Sequence, residues 1–210
     1  MQAIGEVLAG SYRPFVLASG LYSIAPGRVA TEQDPSPFHG VESSRGGSEN
    51  LALEFAERGV GTVVVRFAPT VHGPGDNGFM AGLVGIARAK GKSAYIGDGT
   101  HSWAAISRSD AGRVVRLALD NKVAAGTVLH ASAEAAIPTR AIATAIGQVL
   151  GLPVVSLTAD EAGEHFGRLH RFFGTRRVRC SAGSPAARRS PKTSAPTSER
   201  KNRCPSSKPT

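Results

Sequence analysis

The residues with the clearest chemical potential lie in the loop Pro69 to Asp76, PTVHGPGD, where polar groups follow directly on the apolar run Val63-Val64-Val65. A continuous apolar run reads as a buried parallel strand, and ligands of open α/β sheets bind beyond the carboxyl ends of such strands. The loop is therefore expected to handle a cofactor or substrate. Within it His72 is read as a substrate contact, with a plain surface histidine as the alternative. Trp103 is a second candidate, as the wall of a pocket or as ordinary core. No metal site is expected. His165 and His170 stand five apart on an expected helix and share no face, and Cys180 and Cys204 lack the close pairing of zinc ligands.

Those residues need a scaffold, and the local patterns supply one. Met1 to Ala9 reads as a helix, followed by the strand Pro14 to Gly20 and a long irregular segment from Ile24 to Gly47. A helix from Gly47 to Arg58 and the strand Thr62 to Phe67 complete a strand–helix–strand unit, for which parallel strands are expected. Beyond the Pro/Gly loop the patterns predict a helix over Phe79 to Ala89, a strand over Ser93 to Ile96, a helix capped by Ser109, and a strand over Thr127 to His130. Asp110 is placed to favour the N-terminus of its helix through the dipole. Pro138 and Gly151 bracket a further helix, and Thr158 with Glu161 has the spacing of a capping box for a helix running towards Phe173.

Charge divides the chain. Residues 1–174 balance 15 basic against 15 acidic side chains, whereas residues 175–210 carry 10 basic residues and Glu199 alone, so the tail holds the whole excess of +9. With Val178 as its only aliphatic residue larger than alanine and no aromatic, the tail is expected to be disordered. The abrupt change after Gly174 reads best as a shifted reading frame or a mispredicted gene end, with an inert solvated tail as the alternative. Nucleic-acid binding is disfavoured because no aromatics interleave with the cations. No segment offers the run of apolar residues that a membrane span needs, and the N-terminus has no basic leader, so a cytoplasmic setting is expected.

Three segments carry a family resemblance. "VVVRFAPTVHGPGD" resembles an arginine-containing strand followed by a V-Y-G-P-G turn, with His72 in place of the tyrosine. "YIGDGTHSWAAISRSDAGRVVRLAL" resembles a G-D-G strand end and an acid-headed helix, and "FVLASG" a strand that ends at a catalytic serine. In this order they are similar to the second half of an extended short-chain dehydrogenase/reductase of the NAD-dependent epimerase/dehydratase type. The resemblance implies an α/β fold: part of a Rossmann-type parallel sheet over 1–130, part of a substrate lobe over 131–174, and the tail over 175–210. It also implies NAD or NADP as cofactor, with Ser19, Pro69, Thr70 and Val71 lining the nicotinamide and His72 and Trp103 facing a small-molecule substrate. A homodimer is left open.

The departures from that family are as informative. No glycine-rich strand–turn–helix for the cofactor pyrophosphate occurs in the 210 residues, so the adenine-binding half is expected to be missing. The family's tyrosine and lysine fall on Arg45 and Glu49, and an arginine stays protonated and cannot serve as the acid/base. Ser19 stands one residue early for the serine that polarises the substrate, and Tyr22 is a weaker candidate for the same site. Trp103 replaces an arginine that grips a substrate phosphate in nucleotide-sugar enzymes, which implies an uncharged or weakly polar substrate. The expectation is an oxidoreductase or epimerase/dehydratase by descent, catalytically impaired, or alternatively a non-catalytic binding protein on a Rossmann scaffold.

Overall fold

The computed structural model describes residues 1–167 apart from 23, 26 and 27, together with 169 and the backbone of 179–180. The first layer consists of α1 (Gln2–Leu8), β1 (Pro14–Gly20), the short β2 (Val29–Ala30), a 3-10 turn (Ser44–Gly47), α2 (Ser48–Glu57) and β3 (Gly61–Phe67). The chain then forms β4 (Thr70–His72), α3 (Phe79–Lys90), β5 (Ser93–Ile96), β6 (Ser102–Ser107), α4 (Arg108–Asp120) and β7 (Thr127–Ala131). It continues through β8 (Glu134–Pro138), α5 (Thr139–Leu150), β9 (Val154–Leu157), α6 (Ala159–Phe166) and β10 (Arg179–Cys180).

The β-branched run of β3 makes it the centre of a parallel sheet ordered β1-β3-β7. Phe15 pairs with Thr62 and Ser19 with Arg66, so the two strands expected to run side by side do so, in parallel. On the far side Arg66 pairs with His130 of β7, also in parallel. Strand alternation then sorts the faces. Val63 and Val65 turn towards α4 and pack with Ala111, Ala118 and Ile106. Arg66, which follows them and shares the other face with Val64, reaches Glu49 on α2, so α2 covers the opposite face. Among the described residues β3 is the only strand neighbour of β1.

A second core is built by α3, α5 and α6 around Leu83, Trp103, Ile146, Leu157 and Phe166. Its strands correct the sequence expectations. Thr70–His72 is not loop but β4, parallel to β6 with Thr70 opposite Ala105, and β8 lies antiparallel on β6. None of β6, β8 and β9 was expected. The first turn of α4 is capped by Ser107 rather than Ser109: Ser107 is extended and its hydroxyl accepts the Asp110 N–H at 3.1 Å. The capping box of Thr158 and Glu161 is present. Arg179 and Cys180, inside the segment expected to lack structure, lie parallel to β2. The rest of the 175–210 tail, including Cys204, and the stretch from His170 to Phe173 over which the last helix was expected to continue beyond α6 fall outside the described residues.

Candidate functional site

Register places Ser19, Arg66 and His130 in one row across three neighbouring strands, near their carboxyl ends. Glu49, in the first turn of α2, faces this row. Its Oε1 accepts from Arg66 Nε at 2.9 Å and Nη2 at 2.6 Å, and its Oε2 accepts the Ser19 hydroxyl at 2.5 Å. Arg66 and Glu49 are only 1% and 5% exposed, a depth at which a charge is tolerated only with its counter-charge and a full set of hydrogen bonds. Arg66 Nη2 also donates to the Asp34 carbonyl at 2.8 Å, and Nη1 to His130 Nε2 at 3.3 Å. That last bond needs Nε2 unprotonated, which places the ring proton on Nδ1, a buried atom without a partner among the described residues. Burial first, and the Arg66 charge second, lower the His130 pKa from its ordinary value.

The segment between β1 and α2 is fastened over this row at several points. Arg28 pairs with the Asp34 carboxylate, which also accepts the Thr31 N–H at 2.7 Å, and these bonds hold the Asp34 carboxyl well below the usual carboxylate range. Glu32 Oε1 accepts the His130 backbone N–H at 2.9 Å. Asn50 Nδ2 reaches the carbonyls of Phe38 at 2.8 Å and Ser36 at 3.1 Å. Under this segment, at the carboxyl end of β1, lies a cavity of about 130 Å³ bounded by Leu17, Ser19, Tyr22, Phe38, Arg45 and Glu49. Arg45 occupies the left-handed backbone region, φ 55°, with an exposed side chain whose Nη1 donates to the Ala18 carbonyl at 3.3 Å.

The fold thus brings Ser19, Arg45 and Glu49 into one cavity wall, with Tyr22 beside them. It does not bring the other candidates there. Pro69 and Val71 are half-buried where β3 gives way to β4, and Thr70 is buried with its hydroxyl donating to the Ala104 carbonyl at 2.7 Å. His72 is exposed at the end of β4. Trp103 sits in the second core, its Nε1 donating to His101 Nε2 at 3.0 Å and its ring edge-on to Phe79 at 4.8 Å. The expectation of an uncharged substrate rested on Trp103, yet the side chain on the cavity beside Ser19 is Arg45. Asp110 accepts the Ser107 hydroxyl at 2.8 Å at the head of α4.

Sequence reasoning missed Arg66, His130, Glu32 and Asp34 as parts of the site. The one available signal was Arg66 itself, since a lone cation inside a buried apolar run requires a partner from elsewhere. The chemistry follows from the bonds. Arg45 cannot exchange a proton, and both oxygens of Glu49 are engaged, Oε1 by Arg66 and Oε2 by Ser19. Ser19 has a single O–H, and that proton is already donated to Glu49. It can accept a further hydrogen bond but cannot polarise a carbonyl without giving this one up.

Two curated relatives match most of the chain. An uncharacterized protein of Schizosaccharomyces pombe is 42% identical over 174 residues, which is 82% of this chain and 58% of that protein. An uncharacterized protein of Saccharomyces cerevisiae is 41% identical over 174 residues, 81% of this chain and 56% of that protein. The chain therefore spans little more than half the length of these relatives. No family model matches. Among solved structures, dTDP-glucose 4,6-dehydratase of Bacillus anthracis in complex with NAD superposes with TM-score 0.64 at 17% identity, over 86% of this chain and 57% of that one. MoeE5 in complex with UDP-glucose and NAD gives TM-score 0.60 at 25% identity, over 84% and 56%. The chain therefore has part of the Rossmann-like α/β fold of these two structures, both of which hold NAD.

Proposed function

We propose that this chain descends from NAD(P)-dependent extended short-chain dehydrogenase/reductases of the epimerase/dehydratase type and carries their nicotinamide-side and substrate-side framework. The observation behind this reading is the β1–α2–β3–β7 arrangement, which gathers Ser19, Arg45 and Glu49 at the carboxyl ends of parallel strands, where open α/β sheets bind their ligands. In such a protein the nicotinamide would supply the hydride chemistry, held between Ser19 and the Pro69 to Val71 segment, while a small-molecule substrate occupies the adjoining cavity. In this reading Arg45 and Glu49 stand in place of the proton-transferring tyrosine and the lysine that supports it, and the Ser19 proton is held by Glu49, so little or no turnover is proposed for the chain itself. That same bond favours the second reading, a protein that binds a ligand on this scaffold without reacting it.

Nicotinamide mononucleotide, half of the cofactor, separates these claims from nucleotide binding in general. Titrated into the isotopically labelled 210-residue chain, it is expected to shift the backbone amides of Ser19, Gly20, Thr70 and Val71, whereas adenosine monophosphate leaves them in place. Equal responses to both nucleotides, or none to either, would remove the oxidoreductase ancestry as an account of this pocket.

A further inference from the structure

We propose that the cavity at the end of β1 receives a small organic carboxylate, with Arg45 as the residue that takes the anion. The inference deepens the reading above and relies on it for the position of the site alone. The charge balance of the wall comes first. The cavity is lined by one carboxylate, Glu49, and that group is paired with buried Arg66. Together these two cancel, which leaves the positive charge of Arg45 uncompensated. No ion pair engages Arg45 among the described residues, and of its five N–H donors one has a protein acceptor, the Ala18 carbonyl. A planar guanidinium with vacant donors at a cavity mouth matches the two oxygens of a carboxylate.

The backbone adds an independent observation. Arg45 adopts φ 55°, a conformation that favours glycine, although Gly46 and Gly47 stand directly beside it in the sequence. Residues with a Cβ held in this region cluster at ligand clamps, where the surroundings fix them. Here the fixing bond is the Ser48 hydroxyl donating to the Arg45 carbonyl at 2.6 Å. The rest of the cavity sets the body of the ligand. Leu17 and Phe38 offer apolar surface, and a volume of about 130 Å³ is close to that of cavities that accept a single six-membered ring.

Benzoate and its neutral isostere benzamide are the probes. Each is titrated at low ionic strength into the labelled chain, its Arg45→Lys variant and its Arg45→Gly variant, the last of which relieves the left-handed strain and so retains the fold. The expected result is benzoate affinity about tenfold or more above benzamide in the native chain, with shifts at Ser19, Gly20 and Phe38. That preference should be reduced in Arg45→Lys, absent in Arg45→Gly, and weakened by added salt. Equal binding of the two probes, a preference that survives in Arg45→Gly, or no shift at these residues with either probe would overturn the proposal. A failed nicotinamide mononucleotide titration beside an intact benzoate preference removes the oxidoreductase reading alone, and the converse removes this one alone.

Discussion

The Glu49 carboxylate turns inward to hold Arg66, with exposures of 6% and 1% for the two side chains. From the family resemblance alone Glu49 was expected to stand at a lysine position; the structure gives it this different task. Breaking one partner of a buried pair strands the other charge, at a cost of about 3–5 kcal/mol. Glu49→Gln should therefore lower stability in urea by about 3 kcal/mol, and Glu49→Lys, which sets a second cation against Arg66, should leave no cooperative transition at all. A loss below about 1 kcal/mol for Glu49→Gln would mean that the Asp34 carbonyl and His130 suffice for Arg66. Arg45 and Glu49 were legible in the sequence because they share one short motif, four residues apart. The partners of Arg66 were not, because Glu49 lies 17 residues away and His130 lies 64 away, and only strand register brings them together.

At the scale of elements, α1 is secured by a glycine. A Cβ on Gly5 would fall 2.3 Å from the ring of Phe55, which is itself 1% exposed and has no room to retreat. Gly5→Ala gains about 1 kcal/mol of helix propensity. Overpacking against a fixed ring costs about 1–3 kcal/mol, so the net effect should be a loss. The expected result is a lower thermal midpoint together with faster amide exchange across Gln2–Leu8; an unchanged or raised midpoint would show that the ring yields. The sequence predicted α1, α2, α3 and α5 well, since each announces itself by local periodicity, and α5 also by its stop Gly151, a left-handed C-cap. It failed at β4, β6, β8 and β9. These strands are three to six residues long, and their partners are remote: Thr70 pairs with Ala105 and Ser93 with Val154. Short strands carry too little alternation to be recognised without the neighbour that makes them strands.

For the whole molecule, acidity should be the sharpest lever, because two sets of groups act in the same direction. His101, His130 and His165 have lowered pKa values, each chiefly through burial, with Arg66 adding to the effect at His130 and Lys92 at His165. The fold favours their neutral forms, so the unfolded chain takes up more protons as the pH falls. Stability is complete above the ordinary histidine value of about 6.5 and drains away below it, down to the folded-state values. Glu6, Asp34 and Glu161 are also lowered, by Arg58, by Arg28 and by the Thr158 backbone N–H respectively. Their contribution is present above the ordinary carboxylate values and is lost only at lower pH, as they protonate through their folded-state values. Thermal midpoints measured from pH 8 downwards should therefore hold level to about 6.5, decline across a histidine segment, and fall again near pH 4. In His130→Gln the first decline should be shallower, because an amide can accept from Arg66 Nη1 without ever gaining charge. An unaltered first segment in that variant would place the acid sensitivity at His101 and His165, away from the polar row that spans the sheet.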